Sequence, residues 1–556
     1  MNKTITEIIK NIIEIVSFAN ESLALSNGLD NKDQLLNSPY IKEKMNSTNK
    51  LYLSLTNTDK LEFYNILNTE FEQDSIMHIY LLSILLYCVH TDEIIERITD
   101  IIINSNINIY KSVLLEFLIA YEIFRYSDHG DLYQLRRRLH SYNVKKYCNS
   151  IEISRNFIPY ENRNKNRIVV ITEQLLGLNH APSKMILEQC YELEKNLGME
   201  VFLITSPIRN SYIDELIWFD SFSENRLSYL DGNYIAFYED GEIFYKGEEL
   251  NDEFIIVYKN IPIRGRQLLF EENNIEELKM LINKINKFNP LFVYDMGSIH
   301  PLADACNSFT TVVSMSMGYG YPVSDAPILL SLNKNGESQD DRSIISILDN
   351  NNQVVLNDKF IFSLDKPTNP HNRAQYGLSK NVFLIAIVGN RLDAEITTDF
   401  IGMLRHVMLN DNEIEILLIG KYPNYETYFI DAIFKDRVHF MGWQEDFANF
   451  ITISNIFLNP PRKGGGTSAL IALSSGVPVI TLSEGDVAGN VGADFICKDY
   501  KEMEAVIKKY KQDKEFYKDQ SIKGINYTHK KTDLTGNLKN NLNRIEETIL
   551  MLEGKL

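Results

Sequence analysis

The chain has 556 residues and a formal net charge of −19, from 56 lysines and arginines against 75 aspartates and glutamates. That length exceeds what one core sustains and implies two or three domains, while the acidic balance argues against general binding to nucleic acid or anionic membrane without excluding a local basic pocket. Five cysteines without paired spacing, an N-terminus lacking a clean secretory core and no membrane-length apolar stretch read as a reduced, cytoplasmic protein with no zinc cluster.

Residues 1 to about 155 read as helical throughout. "DKLEFYNILNTEF", "SIMHIYLLSILLYCVH" and "VLLEFLIAYEIFRY" place apolar residues at helical spacing with almost no glycine or proline. "PYENRNKNR" (159–167) is a polar break and a domain boundary. The pattern then turns to strand, loop and helix. "IVVIT" (168–172) is a short buried strand, "LNHAPSKMILEQCYELEKNLG" a loop and helix, and "MEVFLIT" the next strand. That is a βαβ unit, the building block of a parallel sheet. Between about 220 and 260 the sequence alternates and turns at Asp-Gly, as a β-meander insertion would. "PLFVYDMG" and "TTVVSMSMG" read as later strands of the same sheet.

A polar stretch, "LNKNGESQDDRS", precedes a second α/β series. Its strands are "NVFLIAIVG" (381–389), "EIEILLIG" (413–420), "RVHFMG" (437–442), "NIFLNP" (455–460) and "VPVITL" (477–482). "NLKNNLNRIEETILMLEGKL" is a closing amphipathic helix able to pack on either half. The expected architecture is an all-helical domain (1–160), a Rossmann-like domain with a β-meander insertion (161–340), a second Rossmann-like domain (341–535) and a C-terminal helix (536–556). Two open sheets leave a cleft, where ligands bind beyond the carboxyl ends of strands.

The stretch "RKGGGTSALIALSSGVPVITLSEGD" (462–486) sits where a strand ends and a helix begins. Unpaired N–H groups and the positive end of the helix dipole make such a place an anion site. Gly464, Gly465 and Gly466 let an anion approach the backbone, Thr467 and Ser468 add hydroxyls, and Arg462 and Lys463 add charge. A flexible loop with an ordinary cap is the bland alternative, and the spacing is not that of a Walker loop. Arg391, just past another strand, is placed for a bidentate phosphate contact or a surface ion pair. His180, in the loop after the first strand, suits a general base, a hydroxyl-orienting group or a structural role. Asp295, Gly297, Tyr319, Tyr321 and Trp443 lie at strand ends, where pocket lining and loop packing both fit. No carboxylate or histidine spacing suggests a metal, so helix ends and basic side chains are the expected neutralisers of a diphosphate.

At these motifs the chain resembles the GT-B glycosyltransferases. "VHFMGWQEDFANFITISNIFLNP", the glycine loop and "SSGVPVI" follow one another as in that superfamily. The two glutamates of its retaining, glycogen-synthase-like branch fall on Lys463 and Ile471, so both carboxylates are missing. The glycine loop and "NHAPSKMI" (179–186) are closer to the protein O-GlcNAc transferases and bacterial cytoplasmic N-glycosyltransferases. That resemblance implies a diphosphate held by Gly465, Gly466, Thr467 and Ser468, with Arg391 and Lys463, and an active-site imidazole at His180. The family's ribose-binding aspartate falls on Ile471, which leaves "SEGD", with Glu484 and Asp486, and the Gly442-Trp443 turn as nucleotide or sugar contacts. The implied function is inverting, metal-independent transfer of GlcNAc or glucose from a UDP-sugar, needing no cofactor, to a protein side chain, with no nucleic-acid partner. A lipid-linked or capsular glycan as acceptor, and a non-catalytic partner subunit of an active transferase, are the alternatives. The helical domain would bind the acceptor or mediate oligomerisation.

Overall fold

The structure is a computed structural model describing all residues except 1, 25–37, 126–131, 154–155, 173–174, 176–180, 207–235, 240–241, 246–252, 269–273, 298, 318–319, 332–338, 358–362, 423–424, 463 and 556. The chain divides into two compact units, one of Met1–Glu152 with Pro207–Asp231 and Leu269–Glu277, the other of Ile153–Ser206, Gly232–Leu268 and Leu278–Leu556.

The first unit is helical from Lys3–Ala24 to Tyr133–Ile151. Its helices start where local chemistry allows. Thr56 caps Asn57–Glu70 through a reciprocal capping box with Asp59, satisfying two N–H groups that a helix start leaves open. The helix Ser75–Val89, apolar on every side, is accordingly buried nearly all round. A buried polar chain runs through the unit: Ser112 donates to Asn143 (2.5 Å), Asn143 to Glu116 (2.6 Å), and His140 pairs with Glu116 at 2.7 Å. No helix among the described residues is long and apolar enough to cross a membrane.

The second unit holds two sheets. The first comprises β1 (Asn164–Thr172), β2 (Glu200–Thr205), β5 (Glu253–Tyr258), β6 (Ile261–Gln267), β7 (Pro290–Met296), β8 (Val312–Met315), β9 (Ile328–Ser331) and β10 (Val354–Asn357), in the order β10-β9-β8-β7-β1-β2-β6-β5. All its pairings are parallel except β5 against β6. The chain leaves β1 toward β2 on one side and places β7 on the other, so the topological switch lies between β1 and β7. The second sheet comprises β11 (Phe383–Gly389), β12 (Ile414–Gly420), β13 (Val438–Gly442), β14 (Ile456–Leu458), β15 (Val479–Leu482) and β16 (Ile496–Cys497). It is wholly parallel, in the order β13-β12-β11-β14-β15-β16, and its switch lies between β11 and β14.

Several details depart from the sequence reading. β1 begins four residues before its apolar run, because the polar residues 164–167 pair at the sheet's rim, where Arg167 meets Glu200 at 2.7 Å. The short strands β9, β10 and β16 were not expected; β10 joins the first sheet beside β9. In the 220–260 region the described part is one hairpin, β3 (Ala236–Glu239) with β4 (Glu242–Tyr245), and β5 extends the main sheet. The Asp-Gly turn lies outside the described residues.

The C-terminal helix Leu534–Leu552 packs on the first sheet's core, through Leu538, Leu542, Ile545 and Ile549. Tyr160 donates to Glu546 and Glu553, and the fully buried Arg163 guanidinium pairs with Glu553 at 2.7 Å. The helix Gly466–Ser474 joins the cores of both sheets: Leu470 packs with the first, Ala469, Ala472 and Leu473 with the second. Burying Leu470 contributes about 2 kcal/mol to holding that helix in place.

Candidate functional site

Parallel strands bring their carboxyl ends, and the loops that follow, to one edge of the sheet. At the switch of the second sheet those loops are the ones after β11 and β14. β11 ends at Gly389, and Arg391 precedes the short helix Leu392–Glu395. β14 is followed by buried Asn459, by Arg462 and by the three glycines.

A charge network links the two loops. Glu395, 5% exposed, accepts from Arg391 Nε (3.2 Å) and Nη2 (3.0 Å) through one oxygen, and from Arg462 Nη1 (3.1 Å) through the other. Arg462 is 7% exposed and donates its Nε to Asn459 (2.7 Å), whose own amide reaches Thr481 on β15. Two guanidiniums share one carboxylate, a formal surplus of one positive charge. Among the described residues, Arg462 Nη2 is buried without a hydrogen-bond partner. A buried donor left in that state is costly, and in functional sites it commonly marks the place of a missing ligand or water.

This network explains the bare backbone. A Cβ on Gly465 would lie 2.3 Å from Arg462 Nη2, and one on Gly389 would lie 2.6 Å from Nη1. The guanidinium fills the space that side chains would take. Gly465 also has φ +96°, a left-handed conformation that strains residues with a Cβ. It precedes the helix Gly466–Ser474 and offers no capping side chain. Of the first helical N–H groups, that of Ala469 goes to the Gly465 carbonyl (3.2 Å) and that of Gly466 to Asp486 (3.2 Å).

Asp486 opens the helix Gly485–Val491 after β15. Asn490, one turn on, donates to its backbone carbonyl (2.8 Å) and to its carboxylate (3.3 Å), and Lys531 in turn holds Asn490 at 3.0 Å. Burial pushes the Asp486 carboxyl up to about 6, against the opposing pull of the Gly466 N–H, Lys531, Arg462 and Arg391. A Cβ on Gly466 would meet Asn490 at 2.7 Å and the Asp486 carboxylate at 3.0 Å.

The structure therefore brings together Arg391, Gly465, Gly466, Ser468 and Asp486. Ser468 uses its hydroxyl on the Gly465 carbonyl (2.9 Å), which fixes the turn. Thr467 is partly buried beside it. Gly442 and Trp443 stand at the end of edge strand β13, two strand spacings from β11 or roughly 10 Å. Trp443 is 52% exposed, and Glu484 is exposed too. His180, Lys463 and Tyr319 lie outside the described residues.

Sequence reasoning missed the parts that hold the site. Glu395 lies four residues after Arg391, the spacing of a helical ion pair, and that signal was available. Asn490 likewise lies four residues after Asp486. Lys531 had no local signal, because Asn490 is 41 residues away, and nothing near Asn459 pointed to Thr481, 22 residues on.

At the first sheet's switch, Asp295 ends up fully buried, accepting from Ser314 on β8 (2.5 Å) and paired with His300. Tyr321 is also buried, so it and Asp295 pack within this half; neither lines an open pocket.

The family model described as "Glycosyl transferases group 1" matches residues 384–513, the span from β11 through the glycine loop. No curated protein matches. Among solved structures, an O-GlcNAc transferase mutant of Thermobaculum terrenum is similar over 100% of both chains, at 13% identity and a TM-score of 0.54. A glycosyltransferase from Rickettsia africae is similar over 70% of this chain and 99% of its own, at 12% identity and a TM-score of 0.46. HepE of Anabaena, in complex with UDP, covers 68% of this chain and 100% of its own, at 10% identity and a TM-score of 0.45. With two parallel-dominated sheets and a helical N-terminal region, the chain has the GT-B fold, and its residues 384–513 carry the group 1 glycosyltransferase pattern.

Proposed function

We propose that the chain transfers GlcNAc or glucose from a UDP-sugar to a protein side chain in the cytoplasm, with inversion at the anomeric carbon. One observation carries this reading: a net positive arginine pair, Arg462 buried and Arg391 partly so, beside a helix start whose preceding glycine offers no cap, at the switch of the second sheet. A UDP-sugar presents two fixed negative charges there. One surplus arginine charge and the helix dipole, worth about half a charge, come close to matching them. As the bond to the sugar breaks, negative charge builds on the β-phosphate, and preorganised donors favour that state over the ground state.

In this reading Arg391, Arg462 and the N–H groups around Gly465–Ser468 hold the diphosphate. Charge neutralisation then comes from the protein's own cations, with Lys463 as a further contributor. His180 takes the acceptor proton or orients its hydroxyl. The resemblance to an O-GlcNAc transferase makes GlcNAc the first donor to try and a protein the first acceptor, with the helical N-terminal region as its docking element. Five free cysteines, four of them buried, suit a reducing compartment.

The test is UDP release from UDP-GlcNAc and UDP-glucose, with and without candidate proteins, followed by mass spectrometry of the acceptor. Mass added to a protein by one hexose or N-acetylhexosamine supports the reading. Turnover on glycans alone moves the acceptor to a lipid-linked or capsular glycan. Failure of either nucleotide to bind removes the donor assignment.

A further inference from the structure

The Gly466 N–H, one of the donors assigned above to the diphosphate, already carries a carboxylate. Asp486 accepts it at 3.2 Å, and Asn490, itself held by Lys531, donates to that carboxylate. Gly466 has no room for a Cβ because the two side chains fill it. A phosphate and an ionised carboxylate cannot share one helix start without strong like-charge repulsion. A ligand is nonetheless called for, because Arg462 Nη2 lies buried against Gly465 with no partner among the described residues.

We propose that Asp486 is a proton-coupled residue of the donor site: the nucleotide-sugar binds with uptake of one proton onto the Asp486 carboxylate. The inference rests on the donor reading above and extends it. The proton comes from solvent and neutralises one Asp486 oxygen. The neutral carboxyl releases the Gly466 N–H to the phosphate and offers an O–H donor in its turn.

The surroundings support this balance. Lys531 approaches from the helix Lys514–Lys531, Arg462 from the glycine loop, and Arg391 with Glu395 from the loop after β11; Glu484 beside it is exposed. The cations are already engaged with Asn490, Asn459 and Glu395, and the carboxyl still titrates at about 6. A carboxyl poised there is mostly ionised at pH 7.5 yet inexpensive to protonate.

The experiment is calorimetric titration of the full chain with UDP-glucose and UDP-GlcNAc, whose phosphates keep their charge from pH 5 to 8. Binding is measured in two buffers of different ionisation enthalpy. Uptake approaching one proton at pH 7.5 is expected, with affinity tightening about tenfold per unit as pH falls from 8 toward 6. Asp486→Asn should abolish the uptake and flatten the pH profile, leaving affinity at pH 7.5 above that of the parent; its thermal midpoint verifies folding. Binding by the parent chain without uptake, and equally tight at pH 6 and 8, overturns this inference and leaves the donor reading standing. Absence of binding at every pH overturns both.

Discussion

The two sheets of the second unit offer the same opening and use it differently. Each is a sheet of mainly parallel strands with one switch point, β1/β7 in the first and β11/β14 in the second. At the first, a carboxylate takes up its neighbours: Asp295 is fully buried between Ser314 and His300. At the second, two arginines share a single carboxylate, the residue before the helix offers it no capping side chain and one guanidinium nitrogen has no partner among the described residues. Strand topology creates a crevice in both cases. Surplus charge beside a glycine-lined helix start makes the second a candidate anion site.

The strongest way to break this contrast is Gly465→Ala. The new methyl group would need the space of the Arg462 guanidinium and a left-handed backbone. UDP-sugar affinity should fall at least about 100-fold, checked by calorimetry alongside circular dichroism. Retained affinity would show that the loop is not the anion site. Arg462→Met comes next. It removes the surplus charge and should weaken donor binding by about 2–3 kcal/mol, roughly 30- to 160-fold.

His300→Ala sharpens the comparison from the other sheet. It leaves buried Asp295 without its imidazole and should cost about 2–4 kcal/mol in urea denaturation. UDP-sugar affinity should stay within about twofold, and a large loss would mean that both switches contribute to the donor site. The smallest effect concerns Asp486 and stability. Burial raises its folded carboxyl above the unfolded value, so the stability tied to it is fully present below about pH 4 and is lost as pH rises through about 6. Asp486→Asn should therefore raise the thermal midpoint by about 2–4 °C at pH 7.5 and change it little at pH 4. An equal gain at both pH values would detach the effect from titration.

Much of this was legible from residue order. Five of the six strands of the second sheet followed from short apolar runs, three of them ending in glycine, and the glycine loop stood out because nothing else in the chain leaves so much backbone bare. Asp486 was named as a contact for the nucleotide or the sugar. Its position on the Gly466 N–H was not visible, since 20 residues and a strand separate the two. Thr467 and Ser468 looked alike on paper, yet the Ser468 hydroxyl is committed to the Gly465 carbonyl. Trp443, grouped with Glu484 and Asp486 by sequence reasoning, stands at the edge strand, because strand order is set by which apolar faces pack and not by order along the chain.

Residue order alone determined the helical N-terminal region, the two α/β series and the loop where a glycine run meets a helix start, because hydrophobic period and glycine content act over a few residues. Tertiary structure alone decided which charges surround that loop. Glu395 and Arg462 are 67 residues apart in the chain and 3.1 Å apart in space. Charge pairing depends on distance through the folded protein, and that distance exists only once β11 and β14 lie side by side.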